Sequence, residues 1–120
     1  MGITFYGIPN CDTVKKARAW LDAQGAAFSF HDFKKAGVPA DRLPAWLQAA
    51  GADRLLNRKG TAWRKLDPAL QASVVDDAST MALMQRESSV IKRPVVEWPD
   101  GRITVGFDEA VWRERLASAA

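Results

Sequence analysis

The stretch "ITFYGIPNCDTVKKARAWLDAQGAAFSFHDF" (residues 3–33) decides the fold. It opens with "ITFYGI" (3–8), a run of β-branched and aromatic residues closed by Pro9, which reads as a strand. From Asp12 or Thr13 to about Gln24, Val14, Ala17 and Leu21 fall on one face of a helix, with Gly25 as its stop. "AFSFHDF" (27–33) then alternates apolar and polar residues like a second strand. Strand, helix and strand within about 30 residues imply a right-handed crossover and parallel strands.

Downstream, "VPADRLPAWLQAAG" (38–51) predicts a helix with Leu43, Trp46, Leu47 and Ala50 on one side and Gly51 at its end. "LLNRKGTAWRKL" (55–66) has no clear period and reads as a loop turning at Gly60. Asp67-Pro68 is a helix start, an N-cap acid followed by proline at the first helical position. "DDASTMALMQRE" (76–87) reads as a helix whose leading acids suit the helix dipole. "RPVVEWPDGRITVGF" (93–107) sets two strands about Pro99-Asp100-Gly101, a β-hairpin, and "FDEAVWRERL" (107–116) is a helix capped by Asp108. The order is β-α-β, a helical insert at about 38–87, then β-β-α. That is the thioredoxin order: an α/β chain with a mixed four-stranded sheet, read as one domain over residues 1–120.

With 48% hydrophobic residues the chain can bury a core without a staple, and its single cysteine excludes an internal disulfide. No apolar run approaches the ~18 residues of a membrane span, and "MGITFYG" lacks signal-peptide features. Gly2 does not open a myristoylation motif, because Tyr6 stands where Ser or Thr is required. The expectation is a cytoplasmic chain that contacts neither membrane nor nucleic acid: the net charge of +3 is mild and spread out, where a nucleic-acid binder carries a denser basic stripe. The five tryptophans (20, 46, 63, 98 and 112) are scattered; Trp46 and Trp112 fit core faces rather than a base-stacking platform. No metal-ligand spacing occurs, and His31, late in a strand, is not a general-base candidate.

Cys11 lies in the loop between the first strand and helix, where free backbone N–H groups at a helix N-terminus stabilise an anion. Thiolate is the nucleophilic form of cysteine. A free cysteine is often a buried filler, but Asn10, Asp12, Lys15 and Lys16 make this a polar loop, which favours a reactive thiol. Asp12 either raises the thiol pKa by its charge or turns that charge to backbone N–H groups as the helix N-cap. Val14 stands three residues beyond Cys11, so there is no CxxC and the second thiol of any disulfide cycle comes from a partner or small molecule.

"YGIPNCDTVKKARAWL" (6–21), "NRKGTAWRKL" (57–66), "IKRPVV" (91–96) and "VGFDE" (105–109) resemble the ArsC/Spx/YffB family of thioredoxin-like proteins, over nearly the whole chain. The closest likeness is to the YffB-type branch, described as glutathione-dependent thiol reductases. The resemblance implies that Cys11 is the catalytic nucleophile and that Arg58 and Arg93 hold the anionic part of the substrate. It places a basic residue at Lys15, adds Asn10 to the anion-binding candidates, and makes Pro94 a candidate for a cis bond beside the cysteine. It further implies no bound cofactor, glutathione as co-substrate, and glutathione or glutaredoxin as the partner that releases the enzyme from a small anionic or disulfide substrate. The alternative implied by Spx-type relatives is a non-enzymatic regulator that binds RNA polymerase; those typically carry the CxxC that Val14 removes.

Two departures point away from arsenate. Arsenate reductases of this type carry a further arginine in the late strand, where this chain reads "TVGFDE" with Arg102 earlier in the turn. They also place a histidine shortly before the cysteine, where this chain has Gly7-Ile8-Pro9-Asn10. A charge at about 4 Å and an effective dielectric of about 20 is worth around 4 kcal/mol, against about 0.3–1 kcal/mol for a helix terminus. The expectation is therefore that Arg58 and Arg93, more than the helix, lower the Cys11 pKa.

Overall fold

The computed structural model describes residues 2–119. Its strands are β1 (Ile3–Gly7), β2 (Phe28–Asp32), β3 (Val95–Glu97) and β4 (Ile103–Val105). They form one sheet ordered β2-β1-β3-β4, with β1 parallel to β2 and the other two pairings antiparallel. Helix α1 (Asp12–Ala23) makes the crossover from β1 to β2, and α8 (Glu109–Ala119) closes the chain. Between β2 and β3 come α2 (Phe33–Ala36), α3 (Leu43–Ala50), α4 (Ala52–Leu55), α5 (Thr61–Arg64), α6 (Pro68–Ala72), α7 (Asp77–Arg86) and a 3-10 turn, Ser88–Val90.

The period-2 alternation of the strands divides the core. Tyr6, Val95 and Val105 are register partners across three strands and pack against the insert with Leu43, Trp46, Leu56 and Met84. Phe5 and Val96, one residue along, face the other way and pack with Val14, Ala17 and Leu21 of α1 and Trp112 of α8. The result is three layers: α1 and α8, the sheet, and the helical insert. At Gly7 the first two layers come so close that a Cβ would stand 3.0 Å from a Val14 methyl.

Local signals set most boundaries. Asp67 accepts from the Ala69 N–H and Asp108 from the Ala110 N–H, while Asp76 forms a capping box with Ser79. The hairpin turn closes with the Gly101 N–H on the Trp98 carbonyl at 2.9 Å. Two segments differ from the sequence expectation. The helix predicted over 38–51 covers only Leu43–Ala50, because Pro44 lacks an N–H and is tolerated only in a first turn. The segment 55–66, expected to be loop, takes in the end of α4 and the whole of α5, one-turn helices too short to display a period. Leu56 between them pairs with Ile91 in an isolated antiparallel bridge. Among the described residues, no helix is long and apolar enough to cross a membrane.

Candidate active site

Cys11 is the N-cap residue of α1, with an extended backbone (φ −136°, ψ 126°), and its carbonyl accepts from the Lys15 N–H at 2.9 Å. Asp12 therefore takes the first helical position and is exposed, rather than capping the helix. The thiol is partly exposed. Burial pushes its pKa up; the Val14 backbone N–H, the Arg93 guanidinium as donor and charge, and the Thr13 backbone N–H together outweigh that, and the thiol lies below its ordinary value. The Val14 N–H is the largest single favourable influence, and Arg93 acts twice, as donor and as charge; Arg58, expected to share that part, is not among the groups acting on the sulfur. The helix start acts through its individual amides, where the expectation counted only a diffuse dipole.

Arg93 precedes Pro94 through a cis peptide. Its Nη1 donates to the Ser89 carbonyl at 2.9 Å, which holds the guanidinium where it acts on the sulfur as donor and charge. Its Nε is buried without a partner.

The thiol opens into a cleft of about 410 Å³ lined by Thr13, Arg54, Asn57, Lys92, Arg93, Gly106, Phe107 and Asp108. Three cations face one carboxylate, and that carboxylate is engaged by the backbone N–H groups of Ala110 and Val111. Arg54 is anchored by Nη2 to the Val105 carbonyl at 3.1 Å. The Leu56–Ile91 bridge, with the Asn57 N–H on the Val90 carbonyl and the Lys92 N–H on the Leu55 carbonyl (both 2.8 Å), draws the insert against the chain entering β3. Gly106 has φ +86°, a backbone that favours glycine, and its N–H reaches the Pro94 carbonyl at 2.9 Å. A Cβ there would stand 3.2 Å from Lys92 Cε.

Of the candidates named from sequence, the fold brings Cys11 and Arg93 together. Arg58 lies outside the cleft, paired with Asp53 at 3.1 Å, its guanidinium carbon 5.6 Å from the centre of the Trp63 ring. Lys15 borders a shallow surface hollow with Arg18 and Asp22, and Asn10 is exposed and does not line the cleft. Arg102 pairs with Asp100 in the hairpin turn. His31 Nε2 donates to the Gly37 carbonyl at 2.7 Å, a local tie. Sequence reasoning missed Arg54, Asn57 and Lys92. Lys92 was within reach as the neighbour of Arg93, but Arg54 lies on a single-turn helix whose direction only the packed insert sets. Among the described residues, no three His, Cys, Asp or Glu side chains gather into a metal-binding group.

Comparison with known proteins agrees with the fold. The chain is 35% identical over 115 residues to an uncharacterized protein of Haemophilus influenzae, covering 96% of this chain and 99% of that one. It superposes on the solved structure of a YffB protein with a TM-score of 0.87 at 43% identity, covering 98% and 99% of the two chains. It is 24% identical over 109 residues to the global transcriptional regulator Spx of Streptococcus mutans, covering 89% of this chain and 77% of Spx. The model of the ArsC family matches residues 6–115, across the cysteine loop, the insert and the cis-proline hairpin; this chain belongs to the ArsC family.

Proposed function

We propose that this chain is a thiol-dependent oxidoreductase that uses Cys11 as its single nucleophile and glutathione as co-substrate, in the cytoplasm. The observation that carries the reading is a partly exposed thiol, lowered in pKa by helix N–H groups and Arg93, opening into a cleft with three cations. Disulfide exchange balances as follows. The Cys11 thiolate attacks the glutathione sulfur of a mixed disulfide RS–SG, forming Cys11–S–SG and expelling RS⁻, which takes a proton from solvent. A second glutathione thiolate, or a glutaredoxin thiolate, attacks the glutathione sulfur of that adduct and expels the Cys11 thiolate, leaving oxidised glutathione or its glutaredoxin equivalent. The lowered pKa serves the second step most. A lower pKa raises the thiolate fraction, but nucleophilicity falls with a Brønsted slope of about 0.4–0.5, whereas a more acidic thiol always leaves faster. Arg93, Arg54 and Lys92 hold the carboxylates of the co-substrate.

Mass spectrometry after mixing with oxidised glutathione tests the reading. One adduct at Cys11, released by reduced glutathione and abolished in Cys11→Ser along with turnover, is the expected result. A Cys11→Ser protein with full turnover overturns it.

A second reading follows from the Spx match: a non-enzymatic regulator that binds RNA polymerase. It lacks the second thiol of a CxxC switch, since position 14 is a fully buried valine. Enrichment of polymerase in a pull-down, without thiol turnover, would favour it.

A further inference from the structure

Strand β4 is an edge of the sheet, and the chain leaving it at Gly106 lines the thiol cleft. The Trp98 N–H reaches the Arg102 carbonyl at 2.8 Å and the Gly106 N–H reaches the Pro94 carbonyl at 2.9 Å, with Thr104 paired to Val96 between them. Bonded and non-bonded pairs alternate in an antiparallel ladder, so Ile103 and Val105 turn their N–H and C=O groups away from β3. The Val105 carbonyl takes Arg54 Nη2 at 3.1 Å. The Ile103 N–H, the Ile103 carbonyl and the Val105 N–H have no partner among the described residues. A hollow of about 220 Å³ lies along this edge, between Ala49 and Ala50 of α3 and Val111 and Trp112 of α8. It shares Arg54, Gly106 and Asp108 with the thiol cleft, so the two spaces adjoin. Resting on the oxidoreductase reading above, we infer that the R half of the disulfide RS–SG is a polypeptide. Its extended segment pairs with the edge of β4 and seats an apolar side chain in the hollow.

The two spaces differ in chemistry. The cleft carries three cations, whereas the hollow, apart from the shared Arg54 and Asp108, has no charged side chain and is walled largely by aliphatic groups. Val111 is one of only two large apolar side chains left exposed among the described residues, and it stands in this wall. Trp112 belongs to the same wall, and its Nε1 is buried without a partner. Ile103 and Val105 pack toward the insert, while Thr104 accepts from Trp98 Nε1 on the opposite face. Alternate side chains of an added strand therefore fall toward α3, where the small Ala49 and Ala50 leave space, and toward α8. A strand advances about 3.4 Å per residue, so three residues of a paired segment span the roughly 10 Å from Ile103 to Gly106 and bring its cysteine to the cleft. Main-chain pairing supplies the affinity and the hollow the selectivity, as in other strand additions to a sheet edge. A second copy of this chain on the same edge would bring no disulfide to the cleft, because its one cysteine is Cys11 itself.

The reaction is the exchange already written, with the peptide thiolate as RS⁻. Its rate is measured with an acetylated and amidated seven-residue peptide, a central cysteine among valines and threonines, joined in a mixed disulfide to glutathione. The reference is the mixed disulfide of glutathione with 2-hydroxyethanethiol, and the ratio of the two rates is the readout. The wild-type ratio should be about tenfold above unity, the scale of one or two net hydrogen bonds and a small apolar contact. N-methylation of the peptide amides, replacement of its valines by serine, and Val111→Asp in the protein should each bring the ratio back toward unity. A wild-type ratio near unity, or one that survives all three changes, overturns the inference while leaving thiol exchange at Cys11 intact. So does a dimer that Val111→Asp dissociates without altering the ratio. A wild-type protein inert toward both disulfides overturns the proposed function, and this inference with it.

Discussion

At Cys11, burial opposes ionisation while two backbone N–H groups and one guanidinium favour it, and the balance falls on the side of the thiolate. Alkylation followed against pH should therefore show a midpoint below that of an ordinary thiol. Arg93→Gln should move it upward, since it removes both a donor and a charge, while the Val14 and Thr13 amides keep part of the shift. Arg54→Gln should instead weaken capture of an anionic disulfide and leave the midpoint nearer to wild type, because Arg54 lines the cleft but is not among the groups acting on the sulfur. The same linkage acts on stability. A folded-state pKa below the unfolded one stabilises the protein above the ordinary thiol pKa, and the gain is lost as pH falls through the folded value. Cys11→Ser should thus cost more stability at alkaline than at acidic pH, as read from denaturation midpoints. Position and neighbours made Cys11 legible in the sequence, and Arg93 came from the family resemblance. Arg54 was not legible, since it lies only four positions before Arg58 and the packing of α4 chooses between them.

Among the elements, one side chain gathers three hydrogen bonds from the insert and the sheet. Glu97 of β3 accepts from Tyr6 Oη (3.2 Å) on β1, from Arg42 Nε (2.7 Å) just ahead of α3, and from Trp46 Nε1 (2.8 Å) within it. Glu97→Ala should lower stability by about 2 kcal/mol in urea denaturation, chiefly by orphaning the buried Trp46 indole N–H. Tyr6 is the only tyrosine, so its phenolate absorbance reports on this site alone. Burial first, and then the Glu97 charge and hydrogen bond, push its pKa up from 10.0 to about 12. The sign is that of an acid kept neutral by folding: its contribution is complete below the unfolded value of 10.0 and disappears as pH rises through about 12. Glu97→Gln should bring the titration back toward its ordinary value. Caps and the hairpin were legible at this scale because a few adjacent residues suffice to make them. The one-turn helices of the insert were not, since their backbone is stabilised by the Leu56–Ile91 bridge rather than by a period of their own.

Across the whole molecule, Trp112 joins the outer helices to the site. It is fully buried, with ring centres 6.1 Å from Phe5, 6.0 Å from Trp20, 5.3 Å from Trp98 and 4.8 Å from Phe107, and Phe107 lines the thiol cleft. Trp112→Ala should cost about 3–5 kcal/mol by thermal or urea unfolding, the range for removing a buried aromatic ring. The amino-acid sequence by itself determined the strand-helix-strand start, the hairpin, the caps and the placing of a lone thiol at a helix N-terminus. Each depends on interactions within a few residues, which composition and period record directly. Tertiary structure alone decided which cations line the cleft and that Arg58 lies outside it. Those outcomes follow from how the insert packs on the sheet, with contacts between residues some 35 to 95 apart in the chain, such as Leu56 with Ile91 and Cys11 with Arg93, and no local pattern encodes them.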